Sequence, residues 1–316
     1  MSAYAHPIDR PIDRPIDRPI DRIVFGDNQF FGINHMSQDK AQERAERFAS
    51  LDNVMAVYDH AIEAGIEAIM LNSNDRARSI CDAFRADPAR YGHLRWYPSI
   101  PYPHKYAAMV NDKGMVGAVQ EILFNKGAKS ALGKMVRGAS AVATLDAVKL
   151  MKMLIDEEMA IYDGLDVRCV FLQNIITDLM LGYDVPDPFV AYCEYIRERY
   201  GAWPGLITQN LPFLRAKLRE WGVEGVVICA SINKIGYLMS PGVAEYEADL
   251  AANDGAAYPV MAMSTLASGA VPPVEAYDYI NRLNIQSIVF GASSPGNIRQ
   301  TVSLINAAPK AQEAAE

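Results

Sequence analysis

The strongest constraint on the fold is a regular alternation of short apolar runs with longer segments of helical periodicity. The apolar runs have the length of buried strands and span residues 23–25, 67–71, 94–100, 167–172, 205–208, 225–230, 259–263 and 287–290. The helical segments between them include residues 51–64, 143–162, 188–200, 212–221, 243–253, 274–283 and 295–305. Eight strand-then-helix units with mostly short connections predict an α/β fold, a closed parallel (β/α)8 or TIM barrel. A doubly wound open sheet is the alternative.

The chain length fits one such barrel. At 316 residues, half of them apolar and 22% charged, the chain has the composition of a globular protein with a sizeable core. We expect a single barrel domain over residues 23–308. An arm at residues 1–22 precedes it, and a flexible tail at residues 309–316 follows it.

The arm is a tandem repeat. Four copies of Pro-Ile-Asp-Arg run from Pro7 to Arg22. A proline at every fourth position denies a helix its hydrogen bonds, so we expect an extended, low-complexity segment with no catalytic role.

One connection is unusually long. About forty residues, 101–142, separate the third strand from its helix, and long loops of this kind are usually functional. In a barrel this insert starts at the carboxyl end of a strand, on the face where active sites lie. We therefore expect it to form part of a lid or pocket wall. The insert is locally basic, and this charge could attract an anionic substrate or cofactor. The alternative is that its lysines only keep a surface loop soluble. Its basic residues are Lys105, Lys113, Lys126, Lys129, Lys134 and Arg137.

Charge and composition exclude several partners. The net charge of −8 disfavours nucleic acid, whose phosphates require clustered Lys and Arg. No apolar run is long enough to span a membrane, and the first twenty residues are too charged for a signal peptide. The four cysteines are widely spaced, as expected for reduced, packed thiols. We therefore expect a cytoplasmic protein with a small-molecule substrate; the sequence does not indicate its oligomeric state.

Polar residues cluster directly after the predicted strands. In a barrel such residues converge at the carboxyl ends of the strands, where substrates bind. The candidate substrate-binding residues are Asn28, Asn72, Arg76, Gln173, Asn174, Gln209 and Asn210. The candidate catalytic residues are the ionisable groups Asp27, His35, Asp75, His104 and Lys105, with His35 and either Asp27 or Asp75 as the preferred acid and base.

Structural roles are the alternative for some of these residues. Asn210 precedes a helix and could cap it, and Asp75 with Arg76 could form a surface ion pair. No metal site is predicted, because no spacing typical of zinc ligands is present.

The last third of the chain resembles a known family. The segments Gly-Leu-Ile-Thr-Gln-Asn at 205–210, Val-Val-Ile-Cys-Ala-Ser-Ile-Asn at 226–233 and Val-Met-Ala-Met-Ser-Thr-Leu-Ala-Ser-Gly at 260–269 are followed by Ile-Val-Phe-Gly-Ala-Ser-Ser-Pro-Gly-Asn at 288–297. In order and spacing these segments are similar to strands five to eight of the aldo/keto reductases. Residues 51–69 resemble that family's first helix and second strand. The resemblance implies a divergent member of this barrel family.

The family's catalytic tetrad of Asp, Tyr, Lys and His is not retained. The resemblance places Met70 at the Asp position and Asp75 near the Tyr position. The third strand, with Tyr97, offers no lysine, and Gln173 or Asn174 replaces the His.

The resemblance implies NADP as the candidate cofactor. In the family, a phosphate lies against the loop after the eighth strand and the helix that follows, and such a helix start favours anions. The implied cofactor-binding residues are Ser264, Gly291, Ser293, Ser294, Asn297 and Gln300. Asn297 stands where members often carry an arginine for the 2′-phosphate, and Ser294 is also an ordinary helix cap.

Three functions fit these observations. The first is a divergent NADPH-dependent carbonyl reductase acting on a small polar or anionic substrate, such as a phosphorylated or polyhydroxylated compound. The second is a non-redox lyase, isomerase or epimerase that uses His35 with Asp27 or Asp75. The third is a non-catalytic, nucleotide-binding regulatory protein. Fold alone does not decide among them.

Overall fold

A computed structural model describes residues 19–30, 46–101, 147–253 and 255–308 of the chain. Most of the arm and of the insert, and the tail, therefore lie outside the described residues. So do three of the candidate catalytic residues, His35, His104 and Lys105.

The strands form a closed parallel barrel, as predicted. They are β1 Ile23–Phe25, β2 Ala68–Asn72, β3 Arg95–Ile100, β4 Asp166–Val167, β5 Cys169–Leu172, β6 Trp203–Thr208, β7 Val227–Ser231, β8 Val260–Met263 and β9 Ser287–Phe290. Strands β4 and β5 both pair with β3 and form one position of the barrel, interrupted at Arg168. Pairing of β1 with β2 and β9, and of β2 with β3, closes the ring. The doubly wound alternative is therefore wrong.

Ten helices accompany the strands in the described residues. They are α1 Leu51–Glu63, α2 Ala77–Ala86, α3 Pro88–Tyr91, α4 Ala147–Met159, α5 Asn174–Gly182, α6 Pro186–Tyr200, α7 Leu211–Glu220, α8 Val243–Ala251, α9 Pro273–Ile280 and α10 Pro295–Ile305. The segment 143–162, predicted as one helix, contains α4 followed by a 3-10 turn, Ala160–Tyr162. Helix α5 is an additional helix between β5 and α6.

Alternation along the strands divides the core into two layers. Met70, Phe171 and Cys229 face the barrel interior, which is almost wholly apolar. Their neighbours Leu71 and Val170 face outward and pack in the layer between the strands and the helices. This period of two is the geometry of a strand buried on both faces.

All four cysteines, Cys81, Cys169, Cys193 and Cys229, are buried and free, as expected for packed thiols. Burial raises the pKa of the Cys81 thiol to about 12, so this sulfur is held as a neutral, unreactive thiol. Among the described residues no helix is long and apolar enough to cross a membrane.

The amino-terminal end of the barrel, its floor, is closed by a charged cluster. Asp21 accepts hydrogen bonds from the Tyr97 hydroxyl at 2.6 Å and from Arg95 Nε at 2.7 Å. The backbone N–H of Asp21 donates to the same hydroxyl at 2.9 Å. Ile20 packs against the apolar interior just above. Because its hydroxyl points to the floor, Tyr97 lies inside the barrel but not at the substrate end.

Removing the Tyr97 hydroxyl tests the floor cluster. Tyr97→Phe deletes one hydrogen bond to a carboxylate and leaves the Asp21 N–H without its acceptor, so we expect the free energy of unfolding to fall by about 2 kcal/mol. Urea denaturation of the variant measures this loss. Tyr183→Phe is the matched control, because Tyr183 is 74% exposed. Equal stability of the two variants would contradict the assigned role of the cluster.

Candidate functional site

The carboxyl end of the barrel, its mouth, carries a polar network set by strand alternation. Asn72 follows the inward-facing Met70 by two residues, and Gln173 follows the inward-facing Phe171 by two. The same period carries both amide side chains inward at the point where the apolar interior ends.

Asp27 is the centre of this network. It lies two residues beyond β1 and is only 2% exposed. Asn72 donates to it twice, from the backbone N–H to Oδ2 at 3.0 Å and from Nδ2 to Oδ1 at 2.6 Å. Asn74 Nδ2 donates to Oδ2 at 3.4 Å. These contacts hold the carboxyl group in one orientation.

Gln173 links Asn72 to the third strand. Its Nε2 donates to Asn72 Oδ1 and to Ser99 Oγ, both at 2.6 Å. Ser99 stands two residues after Tyr97 on β3, so its inward direction follows from the same alternation. Ser99 and Asn74 are members of the network that the sequence interpretation missed as site residues, although strand parity was a usable signal for Ser99.

Burial controls the protonation of Asp27. Desolvation raises its pKa to about 6, and the hydrogen bonds from Asn72 oppose part of that shift. The hydrogen-bond partners given above are amide groups, which stabilise the carboxylate without supplying a full positive charge. A carboxyl group with a pKa near 6 exchanges protons close to neutral pH, as a general acid or base must.

A second carboxylate positions the loop after β6. Thr208 Oγ1 donates to Asp178 Oδ1 at 2.5 Å, and the Gln209 N–H donates to Asp178 Oδ2 at 3.0 Å. Burial raises the pKa of Asp178, a residue of helix α5. The sequence interpretation missed Asp178 because it missed α5. The Tyr246 hydroxyl donates to the Gln209 carbonyl at 2.8 Å, so the backbone of Gln209 is held from both sides.

Other predicted substrate residues have local structural contacts. Asn210 caps α7, since its Oδ1 accepts from the Phe213 N–H at 3.3 Å. Arg76 Nη1 donates to the Phe48 carbonyl rather than to Asp75. Asn174 is the first residue of α5 and is half-buried.

Asp75 and Asn28 are exposed. Of the proposed acid and base pair, the described residues therefore place Asp27 in the network, with Asp75 outside it on the surface. His35 lies outside the described residues.

The predicted cofactor residues lie on the loop after β8, on the loop after β9 and on the first two turns of α10. Ser264 follows β8 with a φ of 55°, and Ser231 Oγ donates to Ser264 Oγ at 3.3 Å. On the other loop, Ser294 caps α10 by accepting from the Asn297 N–H at 3.3 Å. The Ser293 carbonyl oxygen accepts a hydrogen bond from Arg47 Nη2 at 3.2 Å. Asn297 and Gln300 are exposed on α10, as is Gly291 in the loop before it.

The lack of a side chain at Gly291 leaves room for the buried side chain of Gln29. A Cβ at this position would lie 2.1 Å from Gln29 Oε1, far inside contact distance. Gln29 Nε2 in turn donates to the Gly26 carbonyl at 2.8 Å, beside Asp27. The absence of a side chain at position 291 therefore supports the turn that carries Asp27, in addition to any contact with a phosphate.

The described residues also contain two shallow cavities at the opposite face. Each has a volume of about 330 Å³; one is lined by residues around Leu165 and Tyr200 and the other by residues around Glu224 and Tyr258. These residues precede strands rather than follow them. Conserved chemistry in barrels of this kind lies at the carboxyl ends, so we place the candidate site at the mouth.

The structure resembles solved aldo-keto reductases. A Pseudomonas aeruginosa protein assigned as an aldo-keto reductase matches with a TM-score of 0.58 and 11% identity over 92% of this chain and 91% of that chain. The holo form of an aldo-keto reductase from Bacillus halodurans matches with a TM-score of 0.54 and 11% identity over 92% and 89%. One from Brucella melitensis has a TM-score of 0.51 and 10% identity over 92% and 91%.

No protein-family model and no curated protein sequence matches the chain. At such low identity the structural likeness establishes a shared fold. Met70 lies in the apolar interior, where the resemblance placed the catalytic Asp.

The pKa of Asp27 predicts a pH-dependent stability. The folded pKa of about 6 lies above the unfolded value of about 4, so this group stabilises the fold below pH 4 and loses that contribution as pH rises through 6. Asp27→Asn removes the titration. We expect the stability of the wild type relative to this variant to fall by about 2 kcal/mol between pH 4 and pH 7. Urea denaturation across this range measures the difference; a constant difference would refute the shifted pKa.

Proposed function

We propose that the chain is an oxidoreductase of the aldo-keto reductase type that reduces a small polar carbonyl compound with NADPH, and that Asp27 exchanges the proton. The observation that carries the proposal is the buried Asp27 carboxyl group, with a pKa raised to about 6, inside a polar network at the mouth of a reductase-type barrel. The fold supports redox chemistry, and the network supports proton transfer.

In this proposal Asp27 is the proton donor, the role that the tyrosine of the tetrad has in the aldo/keto reductases. When protonated, its carboxyl group donates a proton to the carbonyl oxygen of the substrate. The carboxylate that remains is stabilised by the N–H groups of Asn72 and the side chain of Asn74. Reprotonation from water is favourable at a pH near 6, which allows turnover close to neutrality.

The network also indicates the substrate class. Asn72 and Gln173, both half-buried at the mouth, present amide groups that both donate and accept hydrogen bonds, and the buried Asn74 and Ser99 hold them in place. A substrate with several hydroxyl groups matches such a surface better than an apolar one does. An anionic or phosphorylated group on the substrate would suit the basic residues of the insert, such as Lys105.

The loops after β8 and β9 fit a phosphate-bearing cofactor. Ser264, Ser293 and Ser294 supply hydroxyl and backbone groups, and the positive end of α10 favours an anion there. Asn297 and Gln300, both exposed on the first two turns, would face the nucleotide. NADPH bound in this place would supply the hydride.

A pair of aspartate variants tests the role of Asp27. Asp27→Asn keeps the shape of the side chain but cannot carry the proton, so we expect kcat to fall by about 10²- to 10⁴-fold. It should also remove an ionisation near pH 6 from the pH profile of kcat/KM. Asp75→Asn, at an exposed position, should leave both unchanged. Steady-state reduction of a panel of polyhydroxylated and phosphorylated carbonyl compounds measures the effect. A greater loss in Asp75→Asn would refute the assignment.

Gly296 offers a test of the cofactor site in which stability and binding change in opposite directions. A Cβ at this first-turn position of α10 meets open space. Gly296→Asp should stabilise the helix through its dipole yet repel a phosphate, weakening NADPH binding by about tenfold or more. Gly296→Ala should stabilise the helix and leave binding unchanged. Fluorescence titration with NADPH, with free phosphate as competitor, measures the affinity. Equal affinity of both variants would place the phosphate elsewhere.

The second candidate is a non-redox lyase or isomerase that uses the same Asp27. It is favoured by the position of Tyr97, whose hydroxyl is bonded to Asp21 at the floor, so the described mouth keeps an acid–base group without the reductase tyrosine. In that case the wild type would not bind NADPH even at millimolar concentration. Asp27→Asn would still abolish conversion of the substrate without cofactor.

A further inference from the structure

The last copy of the Pro-Ile-Asp-Arg repeat is bound in the floor of the barrel. This copy spans residues 19–22, and three identical copies precede it at 7–10, 11–14 and 15–18. Its side chains, Pro19 apart, are held by residues of the barrel. The function proposed above does not involve this contact.

Each side chain after the proline has its own place. Ile20 packs against the apolar interior. Asp21 lies between Arg95 and Tyr97, with an ion pair of 2.7 Å to Arg95 Nη2 and a hydrogen bond of 2.6 Å from the Tyr97 hydroxyl. Arg22 Nη1 donates to the Ile285 carbonyl at 2.5 Å, and its Nη2 donates to Asn281 Oδ1 at 3.2 Å.

The backbone of the copy is held as well. Ser287 Oγ donates to the Asp21 carbonyl at 2.6 Å, and the Ile288 N–H donates to the Arg22 carbonyl at 2.9 Å. Arg22 is half-buried, and this burial lowers the pKa of its guanidinium group. A hydrophobic contact, a paired carboxylate and a bonded guanidinium together distinguish Ile-Asp-Arg from other tripeptides.

We propose that the barrel floor is a recognition site for the tripeptide Ile-Asp-Arg, and that the three upstream copies are interchangeable ligands for it. The receptor side consists of Arg95, Tyr97, Asn281 and Ser287, all on the barrel. The ligand side is present four times in the same chain.

Exchange requires only that the intervening residues leave the floor as a loop. If an upstream copy binds, four, eight or twelve residues separate it from Ile23, the start of β1. The entropic cost of closing such loops grows slowly with their length. Each loop would begin with a proline, which suits the second position of a turn. Loss of one copy is therefore compensated by another at high effective concentration.

Aspartate variants of the full-length chain separate ligand from receptor. Asp21→Ala damages the bound copy alone, whereas Asp9→Ala, Asp13→Ala and Asp17→Ala damage the three upstream copies. We expect the threefold variant to melt with the wild type. The decrease in melting temperature caused by Asp21→Ala should be less than half of the decrease caused by all four substitutions combined. Tyr97→Phe, which damages the receptor, should not be compensated by any copy.

Thermal denaturation followed by circular dichroism decides the proposal. If the fourfold variant fails to fold while Asp21→Ala folds, the upstream copies carry the difference and the proposal stands. If Asp21→Ala and the fourfold variant show the same decrease in melting temperature, or if neither folds, the upstream copies do not replace the bound one. The proposal is then overturned.

A peptide measurement gives an independent arm with the wild-type receptor side. Acetyl-Pro-Ile-Asp-Arg-Pro-Ile-Asp-Arg-amide, added to Asp21→Ala with the upstream aspartates also replaced, should raise the melting temperature to a saturating value. The same peptide with alanine for both aspartates should have no effect. Equal shifts from the two peptides would overturn recognition of the tripeptide.

Discussion

The fold depends on the insertion of β1 between β2 and β9. This strand has three residues, yet its pairs Phe25 with Ile69 and Ile23 with Ile288 close the barrel. A parallel barrel without this strand would have two open edges and an interior exposed to water. Because β1 runs along the barrel wall, the residues before it and after it lie at opposite ends of the barrel. Asp21 reaches the floor, and Asp27 reaches the mouth.

These two aspartates show how environment assigns different roles to one residue type. Asp21 is paired with Arg95 and bonded to a phenol, so its charge is compensated and it acts as an anchor. Asp27 is almost fully buried and receives hydrogen bonds from amide groups, which compensate its charge only in part. Desolvation therefore raises its pKa to about 6 and makes the proton available for chemistry. The fold that stabilises one carboxylate activates the other.

Much of the barrel could be predicted because its local signals agree with its tertiary environment. Strands β1 and β9 and helix α10 have the predicted bounds, and the Ser294-Pro295 start of α10 is a strong helix signal. Helix α5 was missed because only Gln173 separates it from β5, with no glycine or proline at the boundary. Its Ile175 and Leu179 are also 59% and 58% exposed, which obscures the amphipathic pattern.

The candidate site was predictable only in part, because residue type and position do not decide between a cap and a ligand-facing side chain. Asn72 is the last residue of β2 and Asn210 follows β6, yet the first bonds Asp27 and the second caps α7. The difference lies in parity: Asn72 continues the inward series of β2, whereas Asn210 follows the inward position of Gln209 by one residue. Composition also cannot show that Asn72 donates two hydrogen bonds to one carboxyl group. That contact depends on the distance between β1 and β2, which only closure of the barrel determines.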